Sequence, residues 1–540
     1  MGSYDPGLHT LNCFVRGRLN RRDLLKRGMA LGAGAAVAGP GTWLGASGVA
    51  AQDGGPVGEV IWGLETNVPN IIPFGGIALA QWLGKEFIYD SLLAWDADLN
   101  VIPALAESWE TPDETTYLFK LREGVLFHDG AEMTAKDVVY SFTMALNPVE
   151  PGVKVPYLDN VAGVEAVDDY NVRVTMTKAD PTLVGTLAWT NYTSIVPEGI
   201  FDRINVLSEG IGTGPFKLVE YSQDDQLVFE AFPDFWGGPD IPGVQKLTLK
   251  MLIDEQQRVA ALRSGAIHGA TFTADVASTL ASDEITVLSG LTSAPRVIHL
   301  NMVNEAPWRD VRVRQAISKV IDRQEIIDKV YAGSAELTTA IPPGYGIWPL
   351  DAAEVAEGYT VDVAGAQALM AETDYADGFE VVLQAISGGD HVRIAEIVQQ
   401  ALQQINIEVS VEPIEIGTFA ENVGNGAFEW AQTARGMRGD PSAHVVDFRS
   451  GTSNNVNWFG DGWISEELDA LYDEGLASLD EARRKEIYDE IQRIIMTEAP
   501  NIYTVQSMKF QAVRNELQGM YVFYGNTNPG LREATVTDEG

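Results

Sequence analysis

The chain has 540 residues, 45% of them hydrophobic and 21% charged; this ordinary globular usage excludes disordered and fibrous classes, and the length disfavours a single undivided core. Its 76 acidic against 37 basic residues give a formal net charge of -39, a field that repels phosphate backbones and anionic lipid and so argues against nucleic-acid and membrane-surface partners. The only cysteine, Cys13, rules out an intramolecular disulfide framework and a cysteine-cluster metal site.

Residues 1–51 have the layout of a secretory signal. Basic residues come first, through Arg21, Arg22, Lys26 and Arg27, then a mild apolar run, then small residues before Gln52. The stretch "NRRDLLKRG" resembles a twin-arginine signal with Arg21 and Arg22 as the pair, and cleavage is expected after Ala50 or Ala51. The apolar run is broken by Gly and Pro and falls short of the roughly 20 residues that cross a bilayer. Cys13 precedes that run, so it is not placed as a lipid anchor. The mature chain is therefore expected to be exported, on the outer face of the cytoplasmic membrane and without a transmembrane helix.

Past the leader, "GEVIWGLETNVPNIIPFG" reads as a short strand closed by a Pro- and Gly-bounded turn. Leu83, Phe87, Leu92 and Leu93 recur near helical spacing, which predicts a helix across "LAQWLGKEFIYDSLLAWD". Tyr117, Phe119 and Leu121 alternate as in a half-buried strand. Thr134 and Asp137 offer a capping box to the helix that follows. A hairpin is predicted to turn at Asp168 to Asn171, with Val172, Val174 and Met176 alternating on its second arm. "FKLVEY", "QLVFEAF" and "VQKLTLKML" continue as strands, and a helix carrying Val259 and Leu262 stops at Gly265. Beyond Ala294 come a strand "RVIHLNM", one or two helices after Pro307, and a β-α-β run from "FEVVLQAI" to "IEVSVEPI". A last helix ends at Pro500 and a strand "NIYTVQSMKFQAVR" follows. This order predicts an α/β protein with two lobes, joined by ordered strands in place of a loose tether.

The stretch "VIPALAESWETPDETTYLFKLREGVLFHDGAEMTAKDVVYSFTMAL" resembles the signature region of the family 5 bacterial extracellular solute-binding proteins, the oligopeptide and dipeptide binding group. "GTGPFKLVEY", "LNMVNEAPWRDVRVRQAISKVIDRQEII" and "NWFGDGWISEELDALYDEG" agree with it in order, so the resemblance runs from about Val57 to Asn515. It implies a two-lobed, periplasmic-binding-protein type II-like α/β fold with an extra subdomain in the first lobe. The lobes would be 52–294 plus 500–540, with the subdomain near 91–195, and 295–499. It also implies a monomeric receptor that needs no cofactor, captures a short peptide or peptide-like solute, and hands it to the permease subunits of an ABC importer. Relatives of this architecture that take metal chelates, glutathione, opines, sugars or haem keep a non-peptide solute open as the alternative.

The expected ligand-facing stretch is "EWAQTARGMRGDPSAH". The resemblance places Asp440 where related peptide binders meet a ligand ammonium, although the Asp-Pro order also allows it to cap a turn. Arg435 and Arg438 flank it, either to fork onto a ligand carboxylate or to neutralise Asp440. Trp62, Trp430 and Trp458 are candidates for cleft walls or for core filling, and Asn301 and Asn304 for contacts to ligand backbone groups. His128, between Asp129 and two glycines, reads as a satisfied turn residue. With 6 histidines, no "HExxH" spacing and no serine elbow, the supply of catalytic groups is poor. Acidic pairs in so acidic a chain leave a glycosidase open, but the order of the family segments argues against it, so no enzyme and no metal site is expected.

Overall fold

The computed structural model describes residues 56–537, apart from 75–78, 98, 150, 152–154, 156–157, 388 and 437–438. The expected leader and its cleavage site lie outside the described residues. In chain order the strands are β1 (Glu59–Leu64), β2 (Leu93–Trp95), β3 (Val101–Pro103), β4 (Ala106–Asp113), β5 (Thr116–Leu121), β6 (Val161–Asp168), β7 (Asn171–Met176), β8 (Phe216–Ser222) and β9 (Gln226–Ala231). They continue with β10 (Lys246–Met251), β11 (Gly269–Phe272), β12 (Ile285–Leu300), β13 (Glu336–Leu337), β14 (Phe379–Ile386), β15 (Ile407–Ile414), β16 (Trp430–Ala434) and β17 (Asn501–Arg514).

One sheet runs β15-β14-β16-β12-β17-β11-β1-β10-β9-β8, with β13 on β17. Its centre is the antiparallel pair β12 and β17, whose early residues Ile285 to Leu291 face Arg514 to Met508 and whose late residues Val297 to His299 face Tyr503 to Asn501. The register slips around Pro295, where the imino acid has no N–H to give the ladder. On one side of this pair β1 runs parallel to β10 and β11; on the other, β14 runs parallel to β15 and β16. In such sheets ligands sit beyond the carboxyl ends of the parallel strands.

A separate sheet, β4-β5-β7-β6, is built from the alternation at Tyr117, Phe119 and Leu121 and at Val172, Val174 and Met176, all of which are buried. The helix beside it, Ala135–Leu146, begins as its sequence suggests: the Thr134 N–H donates to Asp137 Oδ2 at 2.8 Å. His128 is fixed in its turn, with Nε2 2.9 Å from the Gly214 carbonyl oxygen, and burial pushes its imidazole down to about 4, so it stands neutral.

The helix expected across residues 79–96 stops at Ile88. Asp90 accounts for the break. It is buried and accepts from Thr213 Oγ1 at 3.1 Å, Trp236 Nε1 at 2.8 Å and Arg532 Nη2 at 2.5 Å, and this three-sided hold turns the chain into the β2–β3 hairpin. Leu92 and Leu93 are still buried, so the spacing reported burial correctly and geometry wrongly.

Candidate functional site

At the carboxyl ends of β1 and β11 lies a cavity of about 510 Å³. Glu65, Thr271, Phe272, Met508 and Phe510 line one side, and Arg296, Tyr331, Asp390 and Arg393 line the other. Arg296 on β12 and Met508 and Phe510 on β17 belong to the central pair itself, and the other groups come from either side of it.

Asp390 organises the second wall. Arg296 donates to its Oδ2 from Nε at 2.9 Å and from Nη2 at 2.7 Å, and the Tyr331 hydroxyl donates to the same oxygen. Burial alone would raise this carboxyl, but the Arg296 guanidinium and these hydrogen bonds hold it down at about 2. Burial and the Arg296 charge push the neighbouring His391 imidazole down, and its Nδ1 meets Gln432 Oε1 at 2.7 Å. A depressed carboxyl contributes stability that is present above its unfolded value and is lost as pH falls through the folded one. Asp390→Asn is therefore expected to cost about 2 kcal/mol at pH 7 and progressively less as pH falls from about 4 toward 2. Urea titrations at pH 7 and pH 3 check this: an unchanged difference between the two pH values would show that the carboxylate charge is not what stabilises the wall.

A smaller cavity, about 260 Å³, lies where the helix Thr182–Leu187 meets the turn at Gly439 and Asp440. Trp189 and Tyr192 form its aromatic side, backed by Trp82 at 6.0 and 5.9 Å between ring centroids, and Tyr472 and Leu476 face them. At its edge the two backbones touch: a Cβ on Gly185 would stand 1.9 Å from the Gly439 carbonyl oxygen.

Of the residues proposed from sequence, Asp440 lines this smaller cavity, but its charge already has a partner. Arg484 Nη2 donates to Oδ1 at 2.7 Å and Oδ2 at 2.8 Å, and Oδ1 also accepts from the Ser442 N–H at 2.9 Å. Asp440 thus caps the helix Pro441–Val445, the second of its two sequence readings. Arg435 pairs with Asp447 and lies over the Trp458 ring at 5.5 Å, while Arg484 is the guanidinium hydrogen-bonded to Asp440. Arg438 lies outside the described residues.

The cleft-wall reading is corrected at Trp62 and Trp430, both wholly inaccessible. Gly269 leaves room for the Trp62 ring, which a Cβ there would approach to 2.4 Å, and Trp430 packs edge-on against Trp308 at 5.4 Å. Trp458 is buried too, its Nε1 donating to the Val423 carbonyl at 2.8 Å. Asn301 holds a turn, donating to Gly426 O at 2.8 Å and accepting from the Val303 N–H at 3.0 Å, while Asn304 is exposed. Sequence reasoning missed Glu65, Arg296, Asp390 and the Trp189–Tyr192 pair. For Glu65 the available signal was its place directly after the first buried strand.

The model of the family described as "Bacterial extracellular solute-binding proteins, family 5 Middle" matches residues 100–456. The chain belongs to this family. Heme-binding protein A of Haemophilus influenzae is 28% identical to it over 475 residues, covering 81% of this chain and 84% of that one. The dipeptide-binding protein of Escherichia coli is 27% identical over 459 residues, covering 78% and 84%. The crystal structure of the dipeptide-binding protein from Pseudoalteromonas sp. SM9913 in complex with Met-Leu superposes with a TM-score of 0.76 at 21% identity, covering 89% of this chain and all of that one. The fold of this family 5 protein is thus the two-lobed α/β architecture of periplasmic binding proteins. Among its described residues no helix is long and apolar enough to cross a membrane, and no group of three or more His, Cys, Asp or Glu is placed to hold a metal ion.

Proposed function

We propose that this family 5 protein is the extracytoplasmic receptor of an ABC importer, capturing a short peptide or peptide-like solute between its lobes and delivering it to the permease. The observation that carries this is the 510 Å³ cavity at the carboxyl ends of the parallel strands, walled by residues from both sides of the β12–β17 pair. The lobes are 52–294 plus 500–540 and 295–499, so a solute in that cavity touches both, and its binding energy favours the closed form that a transporter can distinguish from the open one. Export through the paired arginines Arg21 and Arg22 places this capture outside the cytoplasmic membrane. The chain binds its solute and does not transform it.

The name of the Haemophilus influenzae relative favours haem as a second reading. The side of the cavity formed by Arg296, Asp390 and Tyr331 is polar, which suits a peptide's amide and terminal groups better than the apolar macrocycle of haem. Differential thermal unfolding with dipeptides and with haemin, together with mass spectrometry of solute retained through native purification, separates the two. A dipeptide at about 100 times its Kd is expected to stabilise the protein by about 2.7 kcal/mol. Stabilisation by haemin alone would overturn the peptide reading.

A further inference from the structure

Nearly every described charge around the larger cavity is matched within the protein. Arg258 donates to the carbonyl oxygens of Leu252, Ile253 and Thr271 at 2.6, 2.9 and 3.1 Å. Arg393 pairs with Asp275 at 3.5 Å and donates to the Lys329 carbonyl. Glu255 accepts from the Thr273 N–H at 2.7 Å and hydroxyl at 3.3 Å. Arg296 and Asp390 hold each other.

Glu65 is the exception. It follows the last residue of β1, lies half-buried on the cavity wall, and makes no hydrogen bond or ion pair with another described residue. The cation whose charge reaches it, Lys509, directs its ammonium to Asn526 O at 2.8 Å, Asn528 Oδ1 at 2.9 Å and Thr527 O at 3.4 Å. All three of its donors therefore have acceptors of their own, so among the described residues no donor is committed to the Glu65 carboxylate on the cavity wall. A carboxylate partly withdrawn from water gains most from a cation that also donates hydrogen bonds. A lone carboxylate is a poor seat for a hard divalent ion, which demands several oxygen ligands.

We infer that Glu65 is the recognition group for a protonated amine on the captured solute, which makes the ligand class an amine-bearing, peptide-like molecule whose ammonium is seated at the end of β1. This rests on the capture function proposed above. It assigns the amine to the larger cavity and away from Asp440, which lines the smaller one and whose carboxylate is occupied by Arg484.

Calorimetric titration of the solute-stripped protein with Ala-Phe and with N-acetyl-Ala-Phe tests the inference, in the wild type, Glu65→Gln and Glu65→Asp. The wild type is expected to prefer the free amine by roughly ten- to a hundredfold, the range for a hydrogen-bonded charge. Glu65→Gln should bring the free-amine form to the affinity of the acetylated one without weakening the latter, and Glu65→Asp should keep part of the preference. Thermal midpoints without solute should lie close together, since among the described residues Glu65 has no hydrogen-bond or ion-pair partner and only the distant pull of Lys509 is lost. Preference that survives in Glu65→Gln overturns the assignment. Equal binding of both forms by the wild type overturns it while leaving peptide capture standing, whereas binding of neither form overturns capture of peptides and this inference with it.

Discussion

Arg484→Ala is expected to lower the unfolding free energy by about 3–5 kcal/mol, the cost of leaving a buried partner charge uncompensated. Both members of the pair are buried, and the guanidinium meets Asp440 at 2.7 and 2.8 Å. Arg484 also donates from Nε to the Gly475 carbonyl at 3.0 Å and lies over the rings of Trp348 and Tyr488 at 5.3 and 5.4 Å. Its removal therefore takes away packing as well as charge. Arg484→Ala combined with Asp440→Asn should recover part of the loss, because no isolated carboxylate then remains. Urea unfolding of the two single variants and the double one gives the coupling directly. A loss below about 1 kcal/mol would mean that water screens the pair as it does at a surface. The same variants separate the two readings of Asp440: a helix cap and ion-pair partner changes stability first, whereas an ammonium contact would change solute affinity at constant stability.

What was legible in the sequence is what repeats along the chain. Val172, Val174 and Met176 announce a half-buried strand because every second side chain meets the same face, and the β-α-β order of residues 379–414 announces parallel pairing. The cap at Thr134 and Asp137 is written within four positions. What was not legible depends on pairing across distance. No local pattern tells Asp440 that Arg484 will hold its carboxylate, or tells Leu93 that Asp90, gripped by Thr213, Trp236 and Arg532, will end the helix before it. Tryptophans illustrate the same limit. Their size predicts that Trp62 and Trp430 are important, but whether a ring faces solute or core is set by what crosses over it, here Gly269 and Trp308. The larger cavity escaped for a related reason: Glu65, Arg296 and Asp390 are ordinary charged residues until the sheet order places them around one space.

Gly185→Ala is expected to weaken solute capture by roughly 150-fold, corresponding to about 3 kcal/mol of overpacking. Gly185 lies in the helix Thr182–Leu187, where alanine is intrinsically favoured over glycine by about 1 kcal/mol. The added Cβ would stand 1.9 Å from the Gly439 carbonyl oxygen, and an obstacle made of backbone cannot rotate aside. Gly185 and Gly439 belong to the two proposed lobes, so opening would separate them and the clash would exist in the closed form alone. Under that arrangement the solute-free variant is as stable as the wild type or slightly more so, because helix propensity acts without the clash, and the penalty appears only when solute draws the lobes together. A permanent contact gives the opposite sign: the solute-free variant would itself lose stability by a similar amount. Urea unfolding without solute, set beside calorimetric affinity for a bound dipeptide, reads the two quantities separately, and a loss of stability with unchanged affinity would exclude Gly185 and Gly439 as a closing contact.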